Sequence, residues 1–369
     1  MDIEAVECNG NGIKFFQLKF FRDIRRFINV VKTLLRWNVH CKRQLEYTES
    51  LMLANVKTPY KKFFVDLGNC VGSNDRIWTL AMNTELDHEV HTPMVLLHGY
   101  ASALAFWMLN LDTFAAERPI YAVDLLGFGK SSRPSFSETP QEIEDQYVAF
   151  LEEWRKVMKL DKMILLAHSF GGWIACLYAL RYPERVQHLI LADPWGLDTA
   201  PCLSTHSFMK RFFLKVFTRT PPLNVIRAFG PFAATVFRNV RTDVVGKFES
   251  VMPDRHKRAI SEYIYHCNSN KTTGERAFHS LLENGPWPKF PLAARMTELH
   301  SDIPLTFVYG EQSWIDSTPG YIIKLSRPNS YTHIEVVDGA GHKVFSDDEL
   351  TFNSIVLKAC KILKSNNVQ

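Results

Sequence analysis

Three residue types needed for nucleophilic acyl transfer each follow a short apolar run: Ser169, Asp316 and His342. A serine hydroxyl is a weak nucleophile until an imidazole takes its proton, and a carboxylate must fix that imidazole and stabilise its charge. Ser169 stands in Ala167-His-Ser-Phe-Gly171, directly after the apolar run Met163–Leu166 and before the helix-like Trp173–Tyr182. A serine between small residues two places away on either side, on a strand-to-helix turn, is a nucleophile elbow. The plain alternative is a buried strand that happens to end in serine. His342 follows Gly339-Ala-Gly341, whose small residues let it approach Ser169. Asp316 is the expected acid, six residues after the glycine-ended run Leu305–Gly310, and Asp193 is the competing acid one strand earlier.

The elements around these residues read as a parallel α/β sheet. Met94–Leu97, Ile120–Val123, Met163–Leu166, His188–Ala192, Leu305–Tyr309 and His333–Val337 are short, continuously apolar or β-branched runs, as expected for strands buried on both faces. Lys61–Leu67 and Ile77–Met82, joined by turn residues, read as an antiparallel hairpin at a sheet edge. Glu138–Leu160 carries a helical period through Ile143, Tyr147, Phe150, Leu151, Trp154 and Met158, and Leu350–Leu363 closes the chain as an amphipathic helix. The turn His98-Gly99-Tyr100 suits a second oxyanion donor, so the backbone N–H groups of Tyr100 and Phe170 are the expected oxyanion hole. His98 is taken to order that loop, and Asp124 to order the glycine-containing turn Leu125–Pro134, which lacks the spacing of a phosphate loop.

Two segments carry unevenly placed positive charge. Residues 14–43 hold nine Lys or Arg against the single acid Asp23, with Phe16, Phe20, Ile24, Phe27, Val31 and Leu34 on one helical face. Such a helix suits the headgroup boundary of an anionic membrane or lipid droplet. Alternatives are a helix packed on the main domain or a mitochondrial presequence, the latter disfavoured by the lack of serine. From 197 to 300 the strand rhythm stops, and Phe residues alternate with Lys and Arg, which reads as a helical cap over the site. The expected organisation is therefore a basic segment over 1–45, a core from 46–196 and 301–369, and a cap over 197–300.

At 369 residues the chain is long enough for one large domain with such an insertion. The seven cysteines are odd in number and lack C-x-x-C spacing, which argues for a reducing compartment and against structural zinc. No metal and no cofactor is expected. No apolar run approaches the 18 residues of a membrane span, and the first 30 residues lack a signal-peptide apolar region. No recognition-helix or RNA-binding motif accompanies the basic charge, so no nucleic-acid partner is expected.

The stretches His98–Tyr100, Asp124–Pro134, His168–Trp173, Tyr182–Val186, Asp193–Gly196, Trp314–Asp316, Arg327–Tyr331 and Gly341-His342 together resemble α/β-hydrolase domain-containing proteins 4 and 5. These are a lipid-metabolising branch similar to peptidase family S33. The resemblance covers about residues 45–365. It implies an α/β-hydrolase fold and the chain order Ser, Asp, His, with activity on N-acylphosphatidylethanolamine, lysophospholipid or neutral lipid at membranes or lipid droplets. It implies a cytoplasmic protein peripherally associated with membranes or lipid droplets, and a lipase or droplet-coat protein as partner; mitochondrial association is the alternative that the basic segment 14–43 leaves open. One branch bears Asn at the nucleophile and co-activates a triglyceride lipase; Ser169 here favours a working hydrolase. The family is also credited with an H-x-x-x-x-D motif for acyl transfer to lysophosphatidic acid, matched by His342 and Asp347. Ala101, Ala103 and Ala167 stand where the family usually has glycine.

Overall fold

The computed structural model describes residues 42–199, 223–228, 230–283 and 285–365. The basic segment expected to meet a membrane lies, through residue 41, outside the described residues, as does the early part of the expected cap.

Eight strands form one sheet: β1 (Tyr60–Gly68), β2 (Asp75–Met82), β3 (Met94–Leu97), β4 (Ile120–Val123), β5 (Met163–His168), β6 (Val186–Ala192), β9 (Leu305–Gly310) and β10 (Thr332–Val337). Their order is β1-β2-β4-β3-β5-β6-β9-β10. The hairpin β1–β2 sits at one edge and pairs antiparallel, as does β2 with β4, while every later pairing is parallel. Two further two-residue strands, β7 (Leu282–Glu283) and β8 (Trp287–Pro288), pair with each other away from this sheet.

The apolar runs work because alternate residues serve opposite layers. Val95, Leu97, Leu165, Leu191 and Phe307 belong to one buried cluster; Met94, Leu96, Leu166, Ile190 and Val308 belong to the other. Helix α1 (Pro140–Val157) and helix α2 (Phe170–Arg181) cover the first face. Pro140 at its first turn starts α1, and the buried Trp154 ring anchors it by donating to Thr79 Oγ1 at 3.0 Å. The C-terminal helix Glu349–Ser365 covers the second face with Phe352, Val356 and Ala359.

Between β6 and β9 the described regular elements are helices apart from β7 and β8. They include α3 (Ala233–Val240), α4 (Thr242–Val251), α5 (Arg258–Asn268) and α6 (Thr273–Ser280). α5 and α6 reach the loops at the carboxyl edge of the sheet: Asn268 Nδ2 donates to Ala101 O at 2.9 Å, and Phe278 stacks on Tyr100 with centroids 4.3 Å apart.

Candidate active site

Ser169 is the single residue between β5 and α2, at φ 52° and ψ −118°. That left-handed value is strained for a residue with a Cβ, by about 1–3 kcal/mol, and the surrounding contacts hold it there. Ser169 N–H donates to Ala192 O at 3.1 Å, and Ser169 O accepts from Trp173 N and Trp195 N. The turn packs because two neighbours lack a Cβ. A Cβ on Gly171 would lie 2.5 Å from His98 O, and one on Gly99 would lie 2.7 Å from His168 Nδ1 and 2.9 Å from Ser169 Cβ. The His98-Gly99-Tyr100 turn is thus pressed against the elbow.

Ser169 Oγ and His342 Nε2 are 3.0 Å apart, and His342 Nδ1 is 2.5 Å from Asp193 Oδ2. A carboxylate only accepts, so Nδ1 carries the proton and Nε2 is free to take one from the serine. Asp193 is fully buried. Its second oxygen accepts the Gly310 amide at 3.3 Å, and the Ser313 hydroxyl donates to Oδ2.

Here the structure corrects the expected acid. Asp316 is exposed, and its Oδ1 accepts the Thr318 amide at 2.9 Å at the start of helix α7 (Thr318–Ser326). Asp193 takes the place beside His342 because β6 and β9 are parallel neighbours, with Ala192 opposite Val308, so the loops after both strands open at one point. The Asp193 amide donates to Val308 O at 2.8 Å, and its φ of 47° turns the chain toward His342. After β9 the chain turns through Ser313 and Trp314 before it reaches Asp316. Ser313 thus meets Asp193, and the half-exposed Trp314 ring lies 5.3 Å from that of His342.

The matching profile of the α/β-hydrolase fold spans residues 92–349. The mouse (lyso)-N-acylphosphatidylethanolamine lipase is 37% identical over 321 residues, covering 86% of this chain and 91% of that protein. The mouse 1-acylglycerol-3-phosphate O-acyltransferase ABHD5 is 40% identical over 320 residues, covering 86% and 89%. This chain belongs to the α/β-hydrolase family, in the branch of those two proteins. Solved structures agree on the fold: a Bacillus subtilis putative hydrolase superposes with a TM-score of 0.62 at 16% identity, covering 86% of this chain and 98% of that one. A bacterial membrane phospholipase A superposes with a TM-score of 0.60 at 18% identity, covering 94% and 99%.

Other residues of this α/β-hydrolase position the loops. His98 Nδ1–H donates to Gly99 O at 2.8 Å while its Nε2 accepts the Leu125 amide at 3.0 Å, so it orders two loops. Burial pushes its pKa down to about 4, which keeps it neutral. Asp124 does order its turn: its carboxylate accepts the amides of Leu104 and Lys130 at 2.8 and 2.7 Å. Burial, with the nearby Glu49 carboxylate, raises it to about 7.

Asp347 accepts the Gly341 amide at 2.8 Å, so its carboxylate steadies the loop that carries His342. His168 holds the same loop by donating from Nε2 to His342 O at 2.8 Å. Its burial, followed by the nearby His342, drives its pKa well below the usual histidine range. Its place beside Ser169 was the only sequence signal for this contact. Ser313 had none.

The Phe170 amide opens α2, where the first helical N–H groups lack intrahelical partners. The Tyr100 ring stacks under α6, and its hydroxyl donates to Glu275 Oε1 at 3.4 Å. Among the described residues no group of three or more His, Cys, Asp or Glu is disposed to hold a metal ion.

Proposed function

We propose that this protein is a serine hydrolase of acyl lipids, acting on N-acylated or lyso forms of phospholipid. The reading rests on one observation above others: Ser169 Oγ within 3.0 Å of His342 Nε2, with Asp193 at 2.5 Å on the far side of the imidazole. Ser169 attacks the ester carbonyl as His342 takes its proton, and Asp193 stabilises the imidazolium. The backbone N–H groups of Tyr100 and Phe170 receive the developing oxyanion. His342 then returns the proton to the departing alcohol, leaving an acyl-enzyme. Water attacks that ester through the same histidine and frees the acid. A lysophosphatidic acid hydroxyl attacking in place of water would make the enzyme an acyltransferase, which is the activity named for the ABHD5 relative. In that case His342 is the shared base and Asp347 keeps it in place.

The lipid class is supported by the names of both relatives. Residues 197–300 act as the cap, supported by the contacts of α5 and α6 with Ala101 and Tyr100. Residues 14–43 supply the contact with a membrane or lipid-droplet surface, and the protein works there peripherally. No described helix is long and apolar enough to cross a membrane.

The test compares wild type with Ser169→Ala for fluorophosphonate labelling and for fatty acid release from N-acylphosphatidylethanolamine and its lyso form. Wild type is labelled and releases fatty acid; the variant does neither while keeping its thermal stability. A wild type that neither labels nor turns over these lipids would instead favour a lipase co-activator.

A further inference from the structure

Away from the triad, six basic side chains border a single open cleft of about 570 Å³: Lys42, Arg43, Arg76, Lys130, Arg133 and Lys271. Its apolar wall is Phe64 and Trp78 from β1 and β2. The one carboxylate on the lining is that of Glu46. Beneath it, the fully buried Glu49 is taken up by Lys62 at 2.9 Å and by the Trp78 indole, with Lys130 farther off at 3.8 Å.

Among the described residues, only Lys130 of these six cations has a carboxylate partner, the buried Glu49. Arg133 spends its two terminal nitrogens on carbonyls alone, those of Gly127, Lys271, Gly129 and Cys267, and its Nε is buried without a partner. Burial lowers its pKa to about 10, so the guanidinium remains charged at neutral pH with no carboxylate bonded to it. Arg76 lies over the Phe64 ring at 5.0 Å and Lys130 over the Trp78 ring at 3.5 Å, contacts that fix the cations without cancelling their charge. Lys42, Arg43, Arg76 and Lys271 are exposed.

The cleft's position narrows what it is for. The Thr79↔Val123 pairing puts the start of β2 at the carboxyl end of β4, so the cleft opens at the same edge of the sheet as Ser169. From β2 to β5 is three strand spacings, about 14 Å. Lys42 and Arg43, on the lining, are also the last two residues of the basic stretch that begins at residue 14.

We propose that this cleft is a docking site for the phosphate-bearing headgroup of an anionic phospholipid at a membrane surface, separate from the catalytic pocket. A headgroup held there would face the same surface as the lipid entering the active site, so the cleft sets the orientation of the enzyme on the membrane. The occupant is a lipid, because the cleft is open, has an aromatic wall beside its cations, and takes Lys42 and Arg43 from the end of the basic stretch of the sequence.

The experiment uses the full chain with residues 1–43 unaltered. Binding to phosphatidylcholine vesicles with and without phosphatidic acid is compared for wild type and for Arg76→Gln/Lys271→Gln. A charge-matched control neutralises Lys162 and Lys358, both exposed and away from the cleft lining. Each basic residue at an anionic surface contributes roughly fivefold to binding. The cleft variant should therefore lose at least about twentyfold in affinity for the acidic vesicles, and the control should lose under about fivefold. Hydrolysis of a short soluble ester should be unchanged in both. Equal losses in the two variants, or no loss in the cleft variant, overturn the proposal. So does displacement of wild type from acidic vesicles by millimolar glycerol 3-phosphate at constant ionic strength, which would identify a soluble phosphate ligand instead.

Discussion

Replacing Asp193 with Asn separates the charge of the buried acid from its shape. The carboxylate is fully buried, accepts from His342 Nδ1 at 2.5 Å and from the Ser313 hydroxyl on one oxygen, and accepts the Gly310 amide on the other. An amide fills the same space. If its NH2 faces His342, Nδ1 becomes the acceptor, the ring proton moves to Nε2, and Nε2 can no longer take the proton of Ser169. If its oxygen faces His342, the imidazolium loses the charge that stabilises it, and the NH2 meets the Gly310 amide. Loss of the correct tautomer in a serine hydrolase triad costs ~10⁴ in kcat, equivalent to about 5 kcal/mol of transition-state stabilisation. Asp316→Asn is the matched comparison. Asp316 is exposed and serves the start of α7, so its replacement should cost about 0.5–1 kcal/mol of stability at most and leave turnover within about threefold. The assay is steady-state hydrolysis of a short-chain p-nitrophenyl ester, with denaturant unfolding to establish that both variants are folded. Asp193→Asn retaining more than a tenth of wild-type kcat, or Asp316→Asn losing a thousandfold, would refute the reasoning.

Gly99→Ala should lower both stability and turnover. Its Cβ would fall within 2.9 Å of Ser169 Cβ and closer still to His168, and such overpacking costs about 1–3 kcal/mol. Gly246→Ala, where an added Cβ meets nothing within 4 Å on an exposed helix face, should instead be neutral or stabilising by up to about 1 kcal/mol, read by thermal melts of the two variants. The third prediction concerns His188, fully buried, bonded to Thr306 Oγ1 at 2.9 Å, with its pKa depressed by burial to about 3. The unfolded chain protonates this histidine below its ordinary 6.5 while the folded one does not until about 3, so its contribution is intact above pH 6.5 and lost progressively on acidification. His188→Gln should therefore flatten the decline of unfolding free energy between pH 6 and 4 by about 1.4 kcal/mol per pH unit, the effect of one proton. Urea midpoints across that range test it, and parallel curves would show the histidine protonated in the fold.

Some features of this protein were legible from local order alone. Continuous apolar runs such as Met163–Leu166 have no polar face to offer water, so they had to become strands covered on both sides. The elbow could be located because a strand, a serine, paired small residues and a helix are consecutive in the chain. The helical period of α1 needed no partner to be recognised. His342 was found because the small residues before it mark a loop after a strand.

The acid could not be assigned in that way. Asp193 and Asp316 each follow a strand by a few residues, and chain distance does not distinguish them. Their difference arises from β6 lying beside β9, which brings the two loops to one point beside His342. The turn of Asp193 at positive φ fills that place, and Ser313 closes it from the other loop. His168 behind the His342 loop, the Gly341 amide on Asp347 and the basic cleft shared by β1, β2 and α5's trailing loop have the same origin. The His168 contact and the cleft join segments tens to hundreds of residues apart, and only packing the sheet decides which of them meet; the Gly341–Asp347 contact spans six residues but depends on how the loop after β10 turns back.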